Sequence, residues 1–393
     1  MKKISPTLTG HTPGRRVEVF LANGLIDRLG EVILQSVGAH GRGPGVPSGK
    51  SKSQAKSSAR STNRSPIEIV TDRNVAGLLG QRVIDSLANS GWSVNVSVTP
   101  AGENIKSSAT VAKLHNHWFE LGYDRNTPVI ALGGGTVGDV TGFAAATFLR
   151  GLPFWQVPTS IVAQVDAALG GKVGINHTRG KNLIGCFYQP AGIVIDPSAL
   201  DTLPIRERCS GFAEVVKYGV IADRTLFQAC ERHLESWISG DEAIPDSVIK
   251  RCARIKLRIV AADETDHGLR RTLNFGHTLG HAFERWGKYR ALRHGEAVAL
   301  GMVGAGWMAM KRGLWSGRDF TRLAKLCTLL RPRRLAAFKV SDIARHLSVD
   351  KKRIRGRNVW ILPRGIGRVD VCADVTEKEI SGALSYIAAW LRS

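Results

Sequence analysis

The residues best suited to chemistry fall in a few short runs. Positions 274–281 read Asn-Phe-Gly-His-Thr-Leu-Gly-His, so His277 and His281 stand four apart and share one face of a helix. Two imidazoles at this spacing either hold a metal ion with a third donor from elsewhere, or form a polar helix face. Candidate third donors are His294 in His294-Gly295-Glu296 and Glu214 in Gly211-Phe212-Ala213-Glu214. On pattern alone, His277 and His281 are the ligand pair. A set of cations accompanies them: Lys172, Lys181, Lys217, Lys256, Arg270 and Lys352. Several stand in small or apolar contexts, such as Gly170-Gly171-Lys172 and Val215-Val216-Lys217. Lysines and arginines are ordinarily solvated; in such contexts they suit a pocket for a multiply anionic substrate.

A third run is glycine-rich. The apolar stretch 128–132 leads into Gly133-Gly134-Gly135-Thr136-Val137-Gly138-Asp139 and then a helical segment. Glycines after a strand let the backbone approach a phosphate, and the helix N-terminus offers free N–H groups to it. The spacing is not the common GxGxxG, and such a turn can be purely structural. Asp72 closes an earlier apolar run, where a carboxylate can accept hydrogen bonds from ribose hydroxyls or cap the helix that follows.

The elements that must position these residues follow from periodicity. Strands are expected at 16–21, 67–71, 93–98, 128–132, 154–157 and 192–195. Helices are expected at 24–36, 75–90 and 107–121. This alternation implies βαβ units and a mostly parallel sheet. Beyond about residue 203 strand signals fade, and amphipathic helices are expected at 206–221, 247–262, 273–286 and 296–311. The reading is an α/β domain over 1–203 and an all-helical domain over 204–393 that binds metal and substrate, with the active site in the cleft between them.

Composition bounds the rest. The 393 residues suffice for two domains, and 43% hydrophobic content fits a globular chain. Two lysines follow the initial Met, but no apolar segment comes after them, so no secretory signal is expected. No run is long and apolar enough to span a membrane. Six scattered cysteines without a CxxC pair suit a reducing cytoplasm. The net charge of +22 is partly local. Residues 41–65 carry Arg42, Lys50, Lys52, Lys56, Arg60 and Arg64 and no acid, which predicts a disordered basic insertion. Nucleic-acid binding is not expected, since no recognition motif or aromatic interleaving accompanies the charge.

Taken together, the run from Gly133 to Asn176 (GGGTVGDVTGFAAATFLRGLPFWQVPTSIVAQVDAALGGKVGIN) resembles the core of 3-dehydroquinate synthases. GKNLIGCFYQP, SGFAEVVKYG, GLRRTLNFGHTLGHAFE, HGEAVALGMV and DKKRIRGRNVWILPRGIG follow in the family's order. The resemblance runs from about Arg16 to the C-terminus, interrupted by 41–65. It implies a Rossmann-like N-terminal α/β domain, a helical C-terminal domain, a homodimer, NAD and one zinc or cobalt ion. It implies Glu214, His277 and His294 as metal ligands, with His281 contacting substrate phosphate instead. NAD contacts map onto Asp72, Asn74, Glu103, Lys106, Gly134, Gly135, Thr136, Val137, Gly138, Asp139, Thr159, Ser160, Lys172, Lys181, Leu200 and Thr202. Substrate contacts map onto Arg150, Asp166, Lys172, Asn182, Lys256, Arg270, Asn274, His281 and Lys352, with Lys351 beside it. The catalytic group would be Asp166, Lys172, Lys217, Lys256, Asp266, Arg270 and His281, and Arg150 would serve the partner subunit's phosphate pocket.

The implied reaction converts 3-deoxy-D-arabino-heptulosonate 7-phosphate to 3-dehydroquinate and phosphate. It proceeds by transient oxidation at carbon 5, β-elimination of phosphate, re-reduction, ring opening and intramolecular aldol closure. Two departures stand out: Asp266 where the family has Glu, and Ala101 where it has Asp. Rival readings are another sugar-phosphate cyclase (2-deoxy-scyllo-inosose, amino-dehydroquinate or sedoheptulose-phosphate), a metal-dependent alcohol or glycerol dehydrogenase, and a basic nucleic-acid-binding protein. Arg270, Asn274 and Lys352 favour a substrate with a carboxylate.

Overall fold

The protein is seen in a computed structural model, which describes residues 6–12, 15–39, 65–332, 335, 337–347, 353–354 and 357–392. The basic insertion, Lys351 and Lys352 lie outside the described residues, save Ser65 at the insertion's end. The chain forms two compact units, one of Met1–Thr159 with Ala167–Ala199 and one of Ser160–Asp166 with Leu200–Ser393. A single cut after residue 203 is the simplest reading of the sequence; instead the units interleave, and Asp166 groups with the helical one. Among the described residues, no helix is long and apolar enough to cross a membrane.

The first unit is built on a seven-stranded sheet. Its order is β1 (Leu8–Thr12), β2 (Arg15–Leu21), β9 (Gly192–Ile195), β6 (Phe154–Pro158), β5 (Val129–Gly133), β3 (Pro66–Asp72), β4 (Ser93–Thr99). β1 pairs antiparallel with β2, and the remaining pairs are parallel. Strands β5, β6 and β9 are buried throughout, as central parallel strands covered on both faces must be. Alternate residues divide between two apolar clusters: Ile130, Leu132 and Trp155 join one, Val129, Ala131 and Phe154 the other. The first cluster takes Leu29, Val32 and Ile33 of α1 (Leu29–Ala39) and Val83 and Leu87 of α3 (Gln81–Asn89). A short helix α2 (Arg73–Val75) and a π-helical turn (Ala76–Gly80) lead into α3, where one helix over 75–90 is expected. The second cluster takes Val111, Leu114 and Trp118 of α4 (Ser108–Glu120) and Val140 and Ala144 of α5 (Gly135–Thr147). An antiparallel hairpin that the periodicity does not announce, β7 (Lys172–His177) and β8 (Gly180–Phe187), packs on α5.

The second unit is mostly helical: α6 (Ile205–Ala222), α7 (Arg224–Ser239), α8 (Asp246–Ala262), α9 (His277–Trp286), α10 (His294–Lys311), α11 (Gly317–Leu330), α12 (Val340–Leu347) and α13 (Glu377–Trp390). The expectation of an all-helical domain is corrected. Strands β10 (Arg353–Ile354) and β11 (Arg357–Asn358) pair, and β12 (Trp360–Gly365) and β13 (Arg368–Cys372) form a hairpin whose first strand packs on α10. Pro363 and Gly365 hide β12 from a sequence reading, because both residues normally demote a strand. Helix α10 is apolar nearly all round and correspondingly buried, which makes it the axis of this unit.

The helix expected at 273–286 is also corrected. A 3-10 helix (Leu269–Asn274) precedes a break, and α9 begins at His277. The cause is Gly276, whose φ of +78° is a left-handed conformation that L side chains rarely adopt. A Cβ there would also lie 2.6 Å from Met302 Cγ, and one at Gly301 would lie 1.8 Å from the Gly276 carbonyl oxygen. Backbone contact between α9 and α10 is thus possible only with glycine on both sides.

Candidate functional site

In the first unit, the glycine turn sits where β5 ends and α5 begins, with Gly134 as the N-cap residue. Its glycines serve packing as well: a Cβ on Gly138 would come 2.7 Å from Gln156 Oε1 on β6. Thr136 Oγ1 donates to Glu103 Oε2 at 3.2 Å, and Asn176 Nδ2 donates to Glu103 Oε1 at 2.9 Å. Lys106, almost fully buried, pairs with Asp139 at 2.5 Å and donates to Asn182 Oδ1. Burial pushes the Asp139 carboxyl up from its usual range, while Lys106 opposes the shift. These contacts tie the β7–β8 hairpin to the start of α5. Asp72 acts here as the N-cap of α2, accepting from the backbone N–H of Asn74 at 2.9 Å and of Val75 at 3.2 Å. Lys172, Asn182 and Arg150 are exposed, and Arg150 follows Leu149 in a left-handed stretch with φ of +67° and +48°.

In the second unit three helices bring ligand-type atoms together. Glu214 from α6, His277 from α9 and His294 from α10 place one donor atom each within 4.8 Å of one another. Both imidazoles turn Nε2 toward Glu214 Oε1, at 3.6 Å from His277 and 3.2 Å from His294. The opposite nitrogens are also engaged: His277 Nδ1 lies 3.0 Å from the Phe275 carbonyl, and His294 Nδ1 lies 3.6 Å from Glu284 Oε1. His294 reaches α6 because Gly295 lets the backbones meet; a Cβ there would fall 2.0 Å from the Ser210 carbonyl oxygen. His281 packs edge-on against His277 at 5.5 Å between ring centroids and is not a member of the three-residue group. The pairing of His277 with His281, suggested by helical spacing, is thus replaced by a pairing of His277 with His294. Burial works against charge on both Glu214 and His294. Lys217 and the imidazoles nevertheless hold Glu214 down to about 2, and Glu214 with Glu284 holds His294 up to about 10. A carboxylate and two imidazoles make a donor set that fits zinc or cobalt.

Beside this group lies a buried charged network. The Asp166 carboxylate pairs with Lys217 Nζ at 3.3 Å and with Lys256, and it accepts from Tyr218 Oη at 3.0 Å. Lys217 also pairs with Glu214, so the ammonium bridges the ligand group to Asp166. Burial alone would raise Asp166; the Lys217 and Lys256 charges instead hold it well below the carboxylate range. Lys256 moves the other way, lowered by burial and by Lys217 and Arg270. Arg270 is 2% exposed and donates to the Glu264 carbonyl at 2.5 Å. Asp263 fixes this loop by accepting from the backbone N–H groups of His267, Gly268 and Arg270. Asp266 sits in the same loop with a φ of +64°. Asn274 ends the 3-10 helix that leads into α9.

The structure thus gathers Asp166, Glu214, Lys217, Lys256, His277 and His294 in the second unit, and Glu103, Lys106, Asp139 and Asn182 in the first. Thr159 belongs to the first unit, and Ser160, Leu200 and Thr202 to the second. Tyr218 and Glu284 were not legible as site residues, although Tyr218 adjoins Lys217 and Glu284 stands seven residues from His277 on the same helix face.

Two family models match the chain: 3-dehydroquinate synthase N-terminal over residues 96–210 and 3-dehydroquinate synthase C-terminal over residues 211–353. The chain is 40% identical over 376 residues to the 3-dehydroquinate synthase of Desulforamulus reducens, covering 94% of this chain and 97% of that protein. Among solved structures, the 2-epi-5-epi-valiolone synthase of Streptomyces hygroscopicus subsp. jinggangensis with NAD+ and Zn2+ bound is similar with a TM-score of 0.78 at 28% identity. That match covers 86% of this chain and 99% of the other. A 2-deoxy-scyllo-inosose synthase complexed with carbaglucose-6-phosphate, NAD+ and Co2+ shares the fold with a TM-score of 0.80 at 22% identity, over 96% and 98% of the two chains. Identity at this level over nearly the whole length, with both family regions in order, means that the chain belongs to the 3-dehydroquinate synthase family.

Proposed function

We propose that the protein converts 3-deoxy-D-arabino-heptulosonate 7-phosphate to 3-dehydroquinate and inorganic phosphate, using NAD and one zinc or cobalt ion. The observation that carries this reading is the convergence of Glu214, His277 and His294 in a chain 40% identical to a 3-dehydroquinate synthase over 94% of its length. When bound, the ion supplies Lewis acidity at a substrate hydroxyl, and NAD supplies a reversible hydride acceptor. The remaining work falls to side chains. Asp166, held ionised by Lys217 and Lys256, is an acceptor for a substrate hydroxyl proton. Lys256, lowered by burial, can give up and regain a proton at Nζ more readily than a solvated lysine. Arg270 reads the substrate carboxylate with its planar fork, and Asp266 takes a hydroxyl.

In this reading Lys172, Asn182, Asn274, His281 and Lys352 surround the phosphate, and Arg150 reaches the phosphate pocket of a second copy in a homodimer. The dinucleotide lies against the Gly134–Asp139 turn with Asp72, Asn74, Glu103, Lys106, Thr159, Ser160, Lys181, Leu200 and Thr202. The enzyme works in the cytoplasm, consistent with free thiols throughout its described residues. The inosose synthase complexed with carbaglucose-6-phosphate shares 22% identity, whereas a 3-dehydroquinate synthase shares 40%, so the carboxylated substrate is preferred here.

The test is phosphate release from three substrates by the metal- and NAD-loaded protein: the heptulosonate phosphate, glucose 6-phosphate and sedoheptulose 7-phosphate. Release from the first alone, without accumulation of NADH, is the expected result. Preference for either of the others reassigns the chain to another cyclase activity, and net NADH formation from a simple alcohol reassigns it to a dehydrogenase.

A further inference from the structure

The three ligand-type side chains are not held equally. Glu214 is fully buried within α6 and His277 nearly so at the start of α9, and the Phe275 carbonyl lies 3.0 Å from His277 Nδ1. A carbonyl can only accept, so that contact puts the proton on Nδ1 and leaves the Nε2 lone pair facing Glu214. His294 is the first residue of α10, and its side chain is 34% exposed. The group at its Nδ1 is the carboxylate of Glu284, 3.6 Å away and only 4% exposed. Glu284 projects from α9 on the same face as His277, two turns further along. One helix therefore carries both a candidate ligand and the carboxylate that faces the other candidate imidazole.

We infer that Glu284 is a positioning residue for the metal centre: its carboxylate, the charged partner that faces Nδ1 of His294, fixes the tautomer and ring orientation that present Nε2 beside Glu214. The inference rests on the metal reading proposed above. A carboxylate is the stronger partner for this task, because it raises the basicity of the imidazole it orients, whereas a backbone carbonyl does so less. The division of labour matches the fold. His277, nearly fully buried, needs only a carbonyl; His294, whose side chain is a third exposed, is given a buried charge.

The experiment uses the full chain with Glu284→Gln, Glu284→Ala and His277→Ala. Each protein is stripped of metal, and its zinc affinity is measured by competition with a chromophoric chelator. The visible absorption of the cobalt-loaded form and the melting temperature of the metal-free form are recorded alongside. Glu284→Gln keeps shape and an accepting oxygen but loses the charge; it should bind zinc about 10-fold more weakly, and Glu284→Ala up to about 100-fold. The cobalt bands of both should shift, while the metal-free melting temperature of Glu284→Gln stays near that of the unaltered protein. A merely structural glutamate would instead lower the metal-free melting temperature and leave zinc affinity unchanged. Zinc affinity within about twofold of the unaltered protein in Glu284→Gln overturns the inference, whatever the folding of the alanine variant. His277→Ala separates the two levels. If it retains zinc, the ligand assignment itself fails; if it loses zinc while Glu284→Gln binds normally, only the role of Glu284 is lost.

Discussion

Three donors meet on the Asp166 carboxylate, and one of them, Lys217, also pairs with Glu214. Removing one side chain from such a network leaves buried partners without compensation, so the effects of single substitutions will not add. At the ligand group the assignments diverge cleanly. His277→Ala should lose metal and turnover together, whereas His281→Ala should retain metal and lose turnover; metal content by mass spectrometry of the purified variants decides between them. Arg270, buried at 2% exposure and proposed above to read the substrate carboxylate, should set the substrate preference. A substrate without a carboxylate forgoes a charge-assisted pair with this guanidinium, so the carboxylated heptulosonate phosphate should exceed glucose 6-phosphate in kcat/KM. The margin expected is about 30-fold to several thousand-fold, from roughly 2–5 kcal/mol for one broken charge pair. Arg270→Ala should erase most of it by harming the acid substrate. Equal use of both substrates by the unaltered enzyme sinks the carboxylate reading.

Helix α10 anchors the second unit through contacts at both its flanks. Toward α9 the glycines Gly276 and Gly301 allow backbone approach, and a methyl group at Gly301 has no room. Gly301→Ala should therefore destabilise by about 1–3 kcal/mol through overpacking, and it should weaken metal binding by moving His277 from His294. Thermal melts with and without zinc separate the two effects. Just past its other end, Arg312 holds α13 by pairing with Glu379 at 2.5 and 2.9 Å, while Glu379 also closes a capping box with Thr376. The Arg312 guanidinium is the main cause that holds Glu379 down to about 2 from an ordinary 4.5. A carboxyl lowered on folding contributes stability above its unfolded value, and that contribution is lost as pH falls from about 4.5 to about 2. With about a quarter of the side chain exposed, solvent screening limits it to roughly 1–2 kcal/mol. Glu379→Gln should melt lower than the unaltered protein at pH 7 and nearly equal to it at pH 2. An equal deficit at both values would show that the charge is not the source.

For the molecule as a whole, the dominant quantity is its net charge of +22. A field of that sign draws anions, and the proposed substrate carries both a carboxylate and a phosphate. Association should therefore be steered and salt-sensitive. Raising ionic strength from about 0.01 M to about 0.15 M shortens the screening length from roughly 30 Å to roughly 8 Å. kcat/KM should fall over that range while kcat stays nearly constant. A flat kcat/KM would mean that the charge is arranged away from the site.

How much of this was legible beforehand differs by level. The central strands at 128–132, 154–157 and 192–195 were readable because strands buried on both faces must be continuously apolar, and the half-exposed strand at 93–98 because apolar and polar residues alternate along it. The hairpins Lys172–Phe187 and Trp360–Cys372 were not, since strands that are partly exposed, as β8 is, or interrupted by Gly or Pro, as β12 is, lose that signature. Residue types and order sufficed to place the chain among 3-dehydroquinate synthases, and to nominate Glu214, His277 and His294 by resemblance. Local spacing alone pointed to His281, because helical periodicity relates only residues on the same helix. The approach of His294 to His277 comes from α10 packing on α9, and that of Glu214 from α6 meeting α10 at Gly295. Such contacts join residues on different helices, and no local pattern encodes them. The break at Gly276, the seating of Asp166 among helices of the second unit and the placement of Glu284 behind His294 were decided by packing in three dimensions, where burial forces each charged group to find a partner.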